Sequence, residues 1–152
     1  MSDSPVPKQE PSSRQSDDPA ASVAVSNRQS LPVDEQALGA LAASVLRRER
    51  VRTGELSLSF VEPEEMADLH QRYAGEPGPT DVLSFPMDED GLLGDVVVCP
   101  AEARANNSDL PSELRLLVVH GVLHLLGYDH EDQEQRLVMW AKQEAYSGVR
   151  SP

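Results

Sequence analysis

The sequence predicts an α+β domain in which a single mixed β-sheet of about four strands is packed with helices. Two observations predict this class. Short stretches of alternating hydrophobicity are interspersed with longer stretches of helical periodicity, and proline or glycine stands at most of the junctions. The resulting order along the chain is β-α-β-α-β-β-α-α-α, which favours one mixed sheet with helices packed on it.

In the first half of the chain, residues 21–25 alternate weakly and predict a short strand. Asp34 is placed to cap a helix whose apolar residues share one face. Those residues are Leu38, Leu41, Ala42, Val45 and Leu46. Residues 56–60 alternate large apolar side chains with serine, which predicts a strand with one face in water. Pro63 suits the first turn of a second helix.

Two further strands are predicted close together in the middle of the chain. Residues 82–85 form the first of them, and Pro86 is expected to end it. An acidic, glycine-containing turn at residues 88–91 separates it from the second strand, residues 95–99. The two strands are therefore expected to form a hairpin.

Three helices are predicted after the hairpin. Pro100 opens a short one, and Pro111 opens a longer one that stops at Gly127. The last helix, about residues 131–146, has Leu137, Trp140 and Ala141 on one face.

Composition bounds the possible functions. The chain of 152 residues carries a net charge of −13, which argues against non-specific binding to duplex DNA. Residues 1–20 are rich in Ser, Pro, Asp and Gln and predict a disordered tail, which leaves residues 21–150 as one folded domain. A single cysteine, no secretory signal and no apolar run of about 18 residues lead us to expect a cytoplasmic protein with no membrane span.

Three of the four histidines lie within eleven residues of one another: His120, His124 and His130. Residues four apart lie on the same face of a helix, so the first two rings can point at one ion. Gly127 then allows the chain to leave the helix and return His130 to the same point. Three imidazoles in this arrangement predict a site for Zn²⁺ or another borderline metal.

The histidine spacing leaves open whether such a site is catalytic or structural. Three protein ligands leave a fourth position open, as in catalytic zinc sites, whereas a structural zinc needs a fourth ligand, for which Cys99 and Asp129 are candidates. Asp129 is more plausible as an acceptor for a ring N–H. The spacing also matches the metzincin peptidases, but Gly121 stands where their glutamate base stands. No general base is assigned, although Asp81 and Asp95 are possible.

The block from Val119 to His130 resembles the signature of the YbeY family, bacterial metal-dependent endoribonucleases that act in ribosomal RNA maturation. The blocks Pro-Thr-Asp-Val-Leu-Ser-Phe-Pro at residues 79–86 and Leu-Gly-Asp-Val-Val-Val at residues 93–98 are also similar to motifs of this family. The resemblance covers about residues 23–146.

This resemblance implies the family's α+β sheet with a metal cleft in which His120, His124 and His130 hold one zinc ion. It implies hydrolysis of single-stranded RNA, 3′-end maturation of the small-subunit ribosomal RNA and ribosome quality control. The implied partners are ribosomal RNA precursors and ribosomal particles. The alternatives are a peptidase-like metallohydrolase and a non-enzymatic ribosome-associated factor with a structural zinc.

The RNA-contacting residues depart from the family pattern. Many members carry Leu-Asn-x-x-Tyr-Arg in the second helix, whereas His70 and Ala74 replace the asparagine and the arginine here. Arg72 is the candidate replacement for that arginine. Arg47 and Arg48 end the first long helix and are further candidates, although cations there also suit the helix dipole. We expect a narrow electropositive groove that fits a single strand.

Overall fold

The architecture comes from a computed structural model that describes residues 21–129 and 131–149, with the side chain of Asp88 left out. The predicted tail, residues 1–20, lies outside the described residues. The same holds for His130 and for residue 150, the last residue of the predicted domain.

Within the described ranges, the strands and helices follow one another in the predicted order. They are β1 (Ser22–Arg28), α1 (Glu35–Arg48), β2 (Glu55–Val61), α2 (Pro63–Ala74), β3 (Val82–Glu89), β4 (Leu92–Val98), α3 (Pro100–Asn106), α4 (Leu110–Leu125) and α5 (Gln133–Ser147). Among these helices, none is both long enough and apolar enough to cross a bilayer.

The four strands form one mixed sheet in the order β1-β2-β4-β3. β1, β2 and β4 are parallel, with Val25 opposite Leu58 and Leu58 opposite Val96. β3 runs antiparallel to β4, and the two form a hairpin. The predicted α+β class with a four-stranded mixed sheet is thus confirmed.

β3 continues past Pro86, where the sequence predicted its end. Pro86 lacks the N–H that an interior strand needs, but β3 is at the edge of the sheet and pairs with β4 alone. The register of this pairing shifts between Pro86 and Glu89. An edge position with an irregular register therefore accommodates the proline.

The two faces of the sheet are both covered. One face packs under α1, α4 and α5 and holds the larger apolar core, which includes Leu58, Phe60 and Val96. The other face holds a smaller cluster around Met66 of α2. The predicted wet face of β2 is wrong at Ser59, which is 7% exposed because α2 packs over that side.

Helix α4 lies unusually close to the sheet at Gly121. A Cβ atom at this position would stand 2.5 Å from Cγ1 of Val96 and 3.2 Å from Cγ2 of Val82. Ser84 Oγ of β3 donates a hydrogen bond of 2.8 Å to the Gly121 carbonyl oxygen. The position of α4 is therefore set directly by the strands beneath it.

Helix α5 buries a different face from the one that its apolar pattern suggests. Leu137 and Trp140 are 57% and 47% exposed, and Ala141 is also exposed. The buried residues are Met139, Gln143 and Ser147, which recur every four residues. A polar side chain, Gln143, is thus turned inward, where it meets a histidine of α4.

Candidate metal centre

The site begins with two histidines on the last two turns of α4. His120 is half-buried and His124 is exposed. Their ring centroids are 6.2 Å apart and their planes are inclined by 13°. The spacing of four residues therefore places the rings side by side on one face, as the sequence predicted.

Helix α5 orients the first of these rings. The Nδ1 atom of His120 lies 2.9 Å from Oε1 of Gln143. Gln143 is 6% exposed, so its amide is buried where this hydrogen bond satisfies it. Since the amide oxygen accepts, Nδ1 of His120 donates to it.

The turn after α4 orients the second ring. Gly127 has φ +107°, a left-handed conformation that bends the chain back beside the helix. The carbonyl oxygen of Tyr128 then lies 3.0 Å from Nδ1 of His124. Because a carbonyl oxygen only accepts, Nδ1 of His124 donates to it.

These two hydrogen bonds are of the kind that orients metal-binding histidines. In the neutral form of each ring the Nε2 atom carries the lone pair, and donation from the other ring nitrogen to an oxygen is how metal-binding histidines are usually held. A Zn–N bond is about 2.1 Å, so two rings that share a tetrahedral zinc ion have centroids about 5 Å apart. The observed 6.2 Å is about 1 Å wider, so zinc binding would draw the His120 and His124 rings together by about that amount.

The third predicted ligand, His130, lies outside the described residues and stays a prediction. Among the described residues, no group of three His, Cys, Asp or Glu side chains is placed to hold a metal ion. Cys99 packs with Met66 on the opposite face of the sheet, and burial raises the pKa of its thiol. Both facts disfavour Cys99 as the fourth ligand of a structural zinc.

The described histidines donate to Gln143 and to the Tyr128 carbonyl oxygen. Asp129 was expected to accept from a ring N–H, and because His130 lies outside the described residues, that role stays a prediction. Gln143 lies 23 residues from His120 in sequence and was missed. Its position in one stripe with Met139 and Ser147 was the signal that could have revealed it.

The two candidate general bases lie elsewhere in the fold. Asp81 accepts a hydrogen bond of 3.1 Å from Nδ2 of Asn106, which ties the start of β3 to α3. Asp95 lines a groove of about 320 Å³ beside Ser57 and Ser59, on the α2 side of the sheet. The described part of the chain thus gives neither aspartate a contact with the histidine pair.

Gly121 explains why the peptidase alternative is unsupported. In a metzincin the glutamate at this position serves as the base. Here the position faces Val96 and Val82 of the sheet, with no room for a Cβ atom. A side chain at residue 121 would enter the core, so glycine is required by packing.

The arginines predicted to contact RNA are placed on different sides of the sheet. Arg72 lies on α2 and forms an exposed ion pair of 2.9 Å with Asp68. Arg47 and Arg48 lie in the last turn of α1, and the Arg48 guanidinium is 4.5 Å from the centre of the Tyr146 ring. α1 packs on the same face of the sheet as α4. RNA contact by all three arginines stays a prediction.

Comparisons with known proteins match nearly the whole described region to one family. The sequence model of the endoribonuclease YbeY family matches residues 24–148. A protein of Thermobifida fusca named endoribonuclease YbeY is 46% identical over 139 residues, which cover 80% of this chain and 89% of the relative. A protein of Streptomyces coelicolor with the same name is 43% identical over 143 residues, 82% of this chain and 87% of the relative.

The fold also resembles a solved structure. The solution structure of a protein from Thermotoga maritima superposes with a TM-score of 0.55 and 29% sequence identity. The match covers 82% of this chain and 86% of the other. Sequence and fold comparisons thus cover about the same share of the chain.

Proposed function

The chain belongs to the endoribonuclease YbeY family, and from that premise we propose that it is a zinc-dependent endoribonuclease specific for single-stranded RNA. Endoribonucleases are hydrolases that act on RNA, and ribosomal RNA processing is the role of this family. We place its substrate at the 3′ end of the small-subunit ribosomal RNA precursor, within ribosomal particles of the cytoplasm.

The observation that supports zinc dependence is the orientation of His120 and His124. Both rings donate from Nδ1 to a fixed oxygen, so both present the same nitrogen, Nε2, as the lone-pair donor. Imidazole nitrogen is one of the ligands that zinc prefers. His130 is the proposed third ligand.

The proposed roles in catalysis follow from these contacts. His120, His124 and His130 would hold the ion, while Gln143 and the Tyr128 carbonyl fix the tautomers of the first two rings. Bound zinc supplies Lewis acidity toward a phosphoryl oxygen and lowers the pKa of water toward about 7. No side chain is assigned as general base.

Arg47 and Arg48 are proposed to guide RNA toward the histidines, because α1 packs on the same face of the sheet as α4. They precede Glu49, whose carboxylate accepts a hydrogen bond from Tyr128, the residue whose carbonyl orients His124. Both arginines are exposed, and the residue that follows them is bonded to the turn that carries His124. Phosphate contacts there suit a single strand that passes the site.

The proposal is tested by removing and restoring the metal and by replacing a proposed ligand. Purified full-length protein is incubated with a single-stranded RNA that spans the 3′-end junction of the small-subunit ribosomal RNA, and with the same RNA annealed to its complement. We expect cleavage of the single strand alone, its loss after chelation, and its return with zinc. Cleavage that survives complete removal of metal would contradict the proposal.

His70 supplies a matched control for the ligand assignment. Its Nδ1 atom also lies 2.9 Å from a carbonyl oxygen, that of Gly78, but it is on α2. We expect His124→Ala to lose both bound zinc and cleavage, and His70→Ala to keep its zinc. Equal zinc content in the two variants would refute the role of His124.

A further inference from the structure

Glu49 forms a buried hub that the proposed mechanism does not use. It is the C-cap residue of α1, and its side chain is 9% exposed. Its carboxylate accepts hydrogen bonds from Tyr128 Oη at 2.5 Å, from Lys142 Nζ at 2.8 Å, and from Tyr146 Oη. These donors come from the turn after α4 and from α5, which are 79 to 97 residues away in sequence.

The hub is held together by charge as well as by hydrogen bonds. Burial raises the pKa of the Glu49 carboxyl, but the bonds from Lys142, Tyr128 and Tyr146 outweigh it and leave that pKa below its usual value. The Lys142 ammonium also lies 5.4 Å and 5.7 Å from the centres of the two tyrosine rings. The carboxylate is therefore ionised and fully engaged at neutral pH.

Tyr128 connects this hub to the metal centre. Its hydroxyl group donates to Glu49, and its carbonyl oxygen accepts from Nδ1 of His124. One residue thus carries both contacts, and it stands two positions before His130 in the sequence.

The turn bends at Gly127, between Leu126 and Tyr128, which both pack against the larger core. A Cβ atom added at Gly127 would meet nothing within 4 Å. A cavity of about 300 Å³, lined in part by Glu49, Gly127 and Tyr128, lies against the turn. Backbone hydrogen bonds from Gly127 and Tyr128 to α4 fix the start of the bend, and the Tyr128 side chain anchors its far end to α1.

We propose that Glu49 is a positioning residue for the metal centre: through the Tyr128 hydroxyl group it fixes the carbonyl oxygen that orients His124. The inference extends the proposed zinc site. It assigns to α1 a part in building a site whose described ligands both lie on α4.

The first test measures zinc affinity by competition with a chromophoric chelator. Glu49→Gln and Tyr128→Phe both weaken the link to Tyr128, and we expect each to lower zinc affinity about 10- to 100-fold, the usual effect of removing an outer partner of a metal ligand. Tyr146→Phe is the matched control. It removes one donor to Glu49 and leaves the Tyr128–Glu49 bond, so we expect a clearly smaller loss.

The second test needs no metal. Nitrogen-15 NMR of the metal-free protein reports which ring nitrogen of His124 carries the proton. We expect the Nδ1-protonated form in the wild type and in Tyr146→Phe, and a mixture of tautomers in Glu49→Gln and Tyr128→Phe. Circular dichroism identifies any variant that fails to fold, and Tyr128→Phe, which loses one oxygen atom, is the milder of the two.

The outcomes separate this inference from the zinc proposal. If the wild type binds no zinc, the zinc site is refuted and the His124 tautomer still decides whether Glu49 orients the ring. If the wild type binds zinc but Glu49→Gln and Tyr128→Phe match it in affinity and tautomer, the positioning role is overturned. The same holds if Tyr146→Phe loses as much affinity as Tyr128→Phe.

Discussion

Replacing Gly121 with alanine adds one methyl group where α4 touches the sheet. That carbon would lie 2.5 Å from Cγ1 of Val96, a fully buried side chain branched at Cβ, and 3.2 Å from Cγ2 of Val82. A branched side chain inside a strand cannot swing away, so either the helix or the strand must shift.

The size of the effect follows from two opposing terms. Overpacking a well-packed core costs about 1–3 kcal/mol, and so close an approach puts this site near ~3 kcal/mol. Alanine is about 1 kcal/mol more favourable than glycine inside a helix. We therefore expect Gly121→Ala to lower the free energy of unfolding by about 2 kcal/mol, or Tm by about 4–8 °C.

A double-mutant cycle with Val96→Ala tests the cause. Urea unfolding followed by circular dichroism is measured for the wild type, both single variants and the double variant. Val96→Ala removes the methyl group that blocks the new Cβ atom, so Gly121→Ala should cost close to nothing in that background. The expected coupling between the two sites is about 2 kcal/mol.

Gly127→Ala is the control for this cycle. Gly127 has a left-handed φ, but a Cβ atom there meets nothing within 4 Å, so its cost is conformational and should add independently to that of Val96→Ala. If Gly121→Ala costs the same in both backgrounds, contact with Val96 does not explain the glycine. A Gly121→Ala variant as stable as the wild type would refute the packing account altogether.

Three further predictions concern the site and its surroundings. Because the folded-state pKa of the Glu49 carboxyl is below its unfolded value of about 4.5, its stabilisation is present above that pH and is lost as pH falls through the folded pKa. The difference in urea stability between the wild type and Glu49→Gln should therefore be constant near neutral pH and shrink below about pH 4.5; no change in acid would contradict the assignment. Gln143→Leu removes the acceptor for His120 and should weaken zinc binding about 10- to 100-fold in chelator competition, and an unchanged affinity would show that Gln143 does not orient the ring. If Arg47 and Arg48 contact phosphates, replacing both with glutamine should reduce the slope of log affinity for single-stranded RNA against log salt by about 1.4, and an unchanged slope would place RNA elsewhere.

The order and type of the elements could be predicted because their signals are local. Asp34 caps α1 by accepting from the backbone N–H of Ala37 at 3.0 Å, and Pro63 and Pro100 stand in the first turns of their helices. Pro86 misled because its effect depends on whether a strand is at an edge, which the chain order β1-β2-β3-β4 does not reveal. The apolar pattern of α5 misled for a similar reason, because which face of α5 is buried depends on the residues of α4 that pack against it.

In the candidate metal centre, too, the features that could be predicted are local in sequence and those that could not come from distant residues. The pairing of His120 with His124 is a consequence of helix geometry within five residues, so spacing alone predicts it. Gln143 and Glu49 reach the site from other helices, at sequence distances that no local pattern connects. The two candidate histidine ligands could therefore be predicted from one segment of the sequence, whereas the residues that orient their rings could not.

The placement of Gln143 and Lys142 on α5 has a consequence for biosynthesis. A polypeptide that ends before α5 would contain the His120–His124 pair and the whole sheet, yet would lack the Gln143 amide that meets the His120 ring and the Lys142 ammonium that pairs with Glu49. The contacts of Gln143 with His120 and of Lys142 with Glu49 therefore form only once α5 has been synthesised and has packed on the rest of the domain.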